Sequence, residues 1–153
     1  MATNDGVHID SQRVIDALVQ ARESIADLRP IMADIGETVR NNIMLGFRET
    51  KSPDGINWEA LKPSTIANRR QGSSVPLNDT GQLKSSITFN ASSDHVEIGT
   101  NKPYAALMNF GGTKAQFPNL WGDIPARPFM PTDNLPESWA DEIMAVVTHH
   151  LSI

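Results

Sequence analysis

An α+β fold, with helices at both ends and a small antiparallel sheet between them, follows from three features of the sequence. Apolar residues recur at steps of three and four through the first fifty positions. They alternate at every second position around residue 90 and return to helical spacing after Pro136. The 153 residues fit a single domain by the usual prior of about 100–200 residues per domain. Leu, Ile, Val and Phe supply 36 of them, above the roughly one-fifth share below which chains tend to stay disordered. We divide the chain into a polar arm at 1–10 and one domain at 11–153, with an extended loop at 111–125.

The first helical face carries Val14, Leu18, Ala21, Ile25, Leu28, Met32, Ile35, Val39 and Ile43. Ser11 or Asp10 can cap its start with a side-chain oxygen. Pro30 interrupts it, because proline lacks an N–H and clashes with the preceding turn. Two arrangements satisfy the unbroken apolar phase. One is a pair of helices with Pro30 in the first turn of the second; the other is a single long kinked helix. A break or sharp kink near Arg29 is favoured. The helix runs through Phe47 and stops before Ser52-Pro53-Asp54-Gly55, a strong turn in which proline presets φ and Gly55 accepts a positive one. Trp58 and Leu61 then anchor that loop to a core, Trp58 against the helix ending near Phe47.

Pro63 opens a short helix over 63–70, a position proline tolerates. Residues 71–74 read as flexible. Asp79 and Gln82 stand at capping-box spacing for another short helical turn. Ile87, Phe89 and Ala91 alternate with Thr88 and Asn90, then Val96 and Ile98 with Glu97 and Gly99, predicting a hairpin with one buried face. A short helix over 104–110 ends at Gly111-Gly112. The stretch Pro125-Ala126-Arg127-Pro128-Phe129 is extended, since each proline turns the residue before it away from helix. The closing helix starts near Pro136, with Trp139, Ile143, Val146, Val147 and Leu151 on one face. Gly81 and Gly99 are nominated with Gly55 as positions where a side chain is in the way, at least one of the first two having positive φ or a close neighbouring backbone.

Composition excludes several chemistries. Cysteine is absent, which removes disulfides, thiol catalysis and cysteine-ligated metal centres. The longest apolar runs are about five residues, against the ~18–20 of a membrane span, and the polar N-terminus does not read as a signal peptide. The net charge of −5 is uneven, with a mildly basic middle at 51–114 between acidic ends. That balance argues against a sequence-independent nucleic-acid binder, which needs a basic face, and fits docking between protein surfaces of opposite sign better.

No catalytic constellation emerges. His8, His95, His149 and His150 lack the i, i+4 spacing that lets two ligands share a helical face. A protonated His149 or His150 instead suits the C-terminal end of a helix dipole. No Gly-x-Ser-x-Gly elbow occurs. Gly111-Gly112-Thr113-Lys114 lacks the order of a phosphate loop and reads as a glycine-terminated helix. Neither a cofactor nor a metal site is nominated. Two features stand out. Phe117, Leu120 and Trp121 lie in a loop, where large apolar groups either fold over the core or meet a partner. Arg127 sits between two prolines, where a guanidinium on stiff backbone suits a fixed bidentate contact to a carboxylate, within the subunit or across an interface, a neighbouring chain being favoured. Phe129 is assigned to the core.

The order of these motifs is informative as a set. Phe47, Pro53-Asp54-Gly55 with Trp58 and Leu61, Leu77-Asn78-Asp79-Thr80-Gly81-Gln82-Leu83 with Ser86-Ile87, Val96-Glu97-Ile98-Gly99-Thr100, Tyr104-Ala105, Phe110-Gly111-Gly112 and Ile124-Pro125-Ala126-Arg127-Pro128-Phe129 follow one another. Over about residues 11–151 this resembles the phage virion morphogenesis, or tail completion, family of contractile-tailed and Mu-like phages. The chain departs from it in the insert-like, aromatic-rich stretch 113–123. The resemblance implies a non-enzymatic structural protein of the head–tail junction, located in the virion neck or tail and assembled in the host cytoplasm. Its implied partners are copies of itself in a ring and other neck, head-completion or tail-terminator proteins, with genomic DNA passing through the ring without specific binding. It transfers no catalytic residues. Interface candidates are Phe117, Leu120, Trp121, Arg127, Arg69 and Arg70. The alternatives are a transient assembly factor absent from the finished particle, a small hydrolase, and a nucleic-acid binder using Lys62, Arg69, Arg70 and Lys84.

Overall fold

The computed structural model describes residues 11–69 and 73–151. The expected polar arm at 1–10, with His8, and the positions of Arg70, Gln71 and Gly72 lie outside the described residues. The elements are α1 (Gln12–Ser24), α2 (Arg29–Glu49), α3 (Pro63–Asn68), α4 (Gln82–Ser85), β1 (Thr88–Ala91), β2 (Val96–Gly99), α5 (Ala105–Phe110) and α6 (Glu137–Leu151). This is the α+β arrangement read from the sequence. The chain forms two compact units, one from 1–39, 90–97 and 131–153, the other from 40–89 and 98–130.

The first unit is helical. The proline settles the choice left by its unbroken apolar phase in favour of two helices. The break falls at 25–28 and Pro30 occupies the first turn of α2, where a missing N–H costs nothing. Asp27 accepts the N–H of Arg29 at 3.0 Å there. That bond, with the Arg29 guanidinium, holds the carboxyl below its usual range. Helix α1 packs on α6, burying Val14 and Ala21 on one side and Trp139, Ala140, Ile143 and Val147 on the other. Leu28, Ile31, Met32, Ile35 and Val39 complete this core. Ser11 stands at the head of α1 but makes no side-chain capping bond. Arg13 instead ties α1 to α6 through Glu137 at 2.9 Å and Asp141. Near the other end of α6, His150 Nε2 lies 2.6 Å from Asp34 Oδ2 of α2.

The second unit buries Ile43, Phe47, Trp58, Leu83, Ile87, Ala105 and Phe129. The loop after α2 closes on itself. Lys51 and Asn57 form an antiparallel bridge, Gly55 N–H reaches Ser52 O at 2.9 Å, and Gly55 has φ +81°. The expected Asp79–Gln82 capping box does not form. Gly81, with φ +75°, occupies the cap of α4, and no side chain bonds there, because Asp79 falls two residues too early.

The strands pair antiparallel as a two-stranded sheet. Its turn is organised by Ser92 Oγ, which accepts the N–H of His95 at 3.1 Å. The sequence alternation is realised, but its apolar face is not fully covered. Phe89, Ala91, Val96 and Ile98 are all only half-buried. A two-stranded hairpin lacks the neighbouring strands that close such a face in larger sheets.

Candidate assembly surface

The structured base of the 111–125 loop is built from aromatic packing in the second unit. Phe47, on the last turns of α2, meets Trp58 edge-on with ring centroids 5.5 Å apart. On its other side it meets Phe129, tilted, at 5.4 Å. Both geometries suit the ring quadrupoles. Trp58 Nε1 donates to Pro128 O at 2.7 Å, so the indole is buried without an orphaned donor. The backbone N–H of Trp58 reaches Thr50 O at 2.9 Å, linking the Pro53–Gly55 turn to the end of α2.

The extended strip 124–130 is stitched along its length. Gly112 and Ile124 exchange N–H···O bonds of 2.9 and 2.7 Å, and Arg127 N–H donates to Met108 O at 3.0 Å. Asn109, buried on α5, accepts with one oxygen from both Phe129 N–H at 3.0 Å and Met130 N–H at 3.1 Å. Gly111 ends α5 with φ +70°. A Cβ there would lie 2.6 Å from the Ala126 nitrogen and 2.8 Å from Ile124 O, so only glycine lets the strip approach.

Arg127 corrects one expectation. It is buried, with 6% exposure, and its fork is engaged by its own chain. Nε donates to Glu59 O at 2.7 Å and Nη2 to Ala60 O at 3.2 Å. The expected carboxylate contact to a neighbour is replaced by two carbonyls, because the stiff Pro-Ala-Arg-Pro backbone aims the side chain inward. Burial pushes the guanidinium below its ordinary value, with Glu59 countering and Arg69 adding to the shift. Arg69 is half-buried and bonds Val75 O at 2.6 Å and Ser73 O at 3.2 Å. It serves its own loop.

From this base projects a closed flap, 113–123. The Thr113 N–H and hydroxyl both reach Gln116 Oε1. Phe117 N–H bonds Thr113 O, and Leu120 N–H bonds Phe117 O. Asp123 accepts the Lys114 N–H across the neck at 2.8 Å. The Phe117 ring rests by Gly112, where an added Cβ would come within 3.1 Å of it. Leu120 is half-buried. Trp121 has no such cover and is 79% exposed. Of the nominated glycines, Gly55 and Gly81 have positive φ, whereas Gly99 has ordinary dihedrals and open space around it. Asn109 and Gly111 were not nominated as anchors, and their partners lie 13 to 21 residues further along the chain.

Among the described residues, no three His, Asp or Glu side chains are placed to hold a metal ion, and no helix is long and apolar enough to cross a membrane. The shallow groove beside His149 and His150 is lined by Asp34, Glu37, Thr38 and Val146, and its Thr38 hydroxyl donates to Asp34 O at 2.9 Å.

The profile of the phage virion morphogenesis family matches residues 9–152. The chain belongs to that family. It is 33% identical over 121 residues to the Mu-like prophage FluMu G protein 2 of Haemophilus influenzae, covering 79% of this chain and 78% of the relative. It is also 33% identical over 141 residues to the putative capsid assembly protein G of Escherichia phage Mu, covering 90% and 89%. No solved structure matches. This family member is therefore a bacteriophage virion morphogenesis protein, and its flap presents Phe117 and Trp121 to solvent, as other parts of the second unit present Ile56 and Phe110.

Proposed function

We propose that this morphogenesis protein is a non-enzymatic structural component of the head–tail junction, where copies of the chain form a ring that joins or completes the tail. The observation that carries this reading is the flap. A loop bonded at its neck, held by a buried arginine and a buried asparagine, presents Trp121 almost fully to water. Exposed aromatic anchors on a preformed loop lose little entropy on docking and dominate interface energetics. Neighbouring neck, head-completion or tail-terminator proteins are the further partners, and DNA passes through the ring without specific contacts.

A second reading is favoured by the phage Mu relative, which is described as a putative capsid assembly protein. On that reading the chain acts during assembly and leaves. Quantitative mass spectrometry of purified virions separates the two: a fixed multiple of copies per particle is expected, together with ring density at the neck in a particle reconstruction. Absence from infectious particles supports the transient factor instead.

A further inference from the structure

Formal charge segregates between the two units far more sharply than along the sequence. Among the described residues, the first unit holds three Lys/Arg against eleven Asp/Glu, a net −8. The second holds nine against five, a net +4. Each unit also leaves apolar groups in water. The basic unit exposes Trp121 and Phe117 on the flap and Phe110 on α5. The acidic unit exposes Ile15 and Val19, one turn apart on α1, while Val14 and Ala21 of the same helix are buried. Asp16, Glu23 and the cation Arg22 flank that pair.

These charges decide which contacts between copies are favourable. Joining two acidic units, or two basic ones, sets like charges together. Joining unlike units sets complementary potentials together and lets one apolar patch cover the other. Such a contact is heterologous, the kind that generates rings. We propose that copies of this protein associate head to tail, the flap of the basic unit on one copy seating Trp121 and Phe117 against the Ile15–Val19 stripe of the acidic unit on the next. The proposal rests on the ring reading above and identifies the two surfaces that meet. Nucleic acid is the less fitting occupant of the basic unit, because Arg40, Arg69 and Arg127 are already spent on carbonyls of their own chain.

Complementary single-defect variants test it. Trp121→Ala removes the head anchor and Val19→Asp removes the tail stripe; both positions are exposed, so melting curves are expected to match the unmodified chain. In sedimentation at up to about 1 mM and low salt, a range that detects weak interfaces, the unmodified chain is expected to form oligomers. These weaken by about tenfold or more as salt rises from about 0.05 to 0.5 M. Each variant alone should associate at least about thirtyfold more weakly, as expected for an aromatic anchor. An equimolar mixture should form one-to-one dimers and stop there, since one good head and one good tail remain. A monomeric unmodified chain, variants that still assemble, or a mixture that stays monomeric would each overturn the proposal. So would duplex-DNA retention that depends on Trp121 in a chain that never self-associates. None of these results touches whether the chain is present in virions, so the junction reading stands or falls separately.

Discussion

Asn109→Ala is the sharpest perturbation of the platform under the flap. The Asn109 side chain is buried at 6% exposure, and one oxygen satisfies two backbone donors, Phe129 N–H and Met130 N–H. Truncation removes both bonds at once. Phe129 is itself only 3% exposed, so water cannot readily replace the acceptor there. Two net hydrogen bonds are worth about 2 kcal/mol together, and an orphaned buried donor adds about 1–3 kcal/mol. Alanine is the better helix former by about 0.5 kcal/mol, which offsets a little of the loss on α5. The expected net cost is about 2.5–4.5 kcal/mol. For a chain of this size, about 2–4 °C of Tm follows each kcal/mol, so a fall of about 5–18 °C is expected. Urea titration followed by circular dichroism checks the free energy directly, and an unchanged slope would show that the unfolded state is unaffected. Arg127→Met is the control. Its acceptors belong to Glu59 and Ala60, both exposed, so water can take over their bonds and the loss should be smaller. A cost under about 0.5 kcal/mol for Asn109→Ala, below that of one ordinary hydrogen bond, would falsify the claim that this oxygen fixes the strip.

Three further outcomes are expected. Trp58→Ala should cost about 3–5 kcal/mol, since it opens a cavity beside Phe47 and leaves Pro128 O without its donor; a melting curve within a degree or two of the unmodified chain would contradict that packing. Gly111→Ala should disrupt the strip while Gly99→Ala should be tolerated, because only the first sets a Cβ against backbone atoms; hydrogen exchange of the Gly112 and Ile124 amides reads the difference. Asp27 has its carboxyl held low by the Arg29 N–H and guanidinium. Its stabilising contribution is therefore present above the unfolded carboxylate range near ~4 and is lost as pH falls through the lower folded value. Asp27→Asn should flatten the acid limb of the stability curve, and an unaltered limb would remove Asp27 from the account.

What was legible in the sequence is what local chemistry dictates. The apolar phase from Val14 to Phe47 marks the face whose residues enter the cores of both units, with Leu18 and Ile25 only half-buried, and Pro30 marks where its backbone must restart. Alternation from Ile87 to Ile98 marks the hairpin, although it could not reveal that only two strands would be present to cover Phe89 and Ile98. The flap was legible as a loop with misplaced aromatics. Its supports were not. Arg127 finds Glu59 and Ala60 from 68 and 67 positions away, and nothing in a Pro-Ala-Arg-Pro run specifies carbonyl acceptors rather than a carboxylate. Asn109 reads as one more polar residue on a short helix until its two donors are brought back to it. The charge segregation was hidden for the same reason: residues 90–97 and 131–151 join the acidic N-terminal helices only in three dimensions.

The second unit uses its large aromatic residues in two different ways. Phe47, Trp58 and Phe129 are buried together, and their contacts are complete within the chain. Trp121 contributes almost nothing to that core, since most of its surface still meets water. The strip 124–130 carries Phe129 and is held by backbone bonds and by the buried Asn109 side chain. On the association proposed above, stability of the subunit and strength of docking are carried by different side chains. A substitution in the first set should lower both, because a loosened strip no longer presents the flap in one geometry. A substitution at Trp121 should lower docking alone. That asymmetry is what the proposed association requires: a monomer that folds before it meets its neighbour, with an exposed anchor left to be covered afterwards.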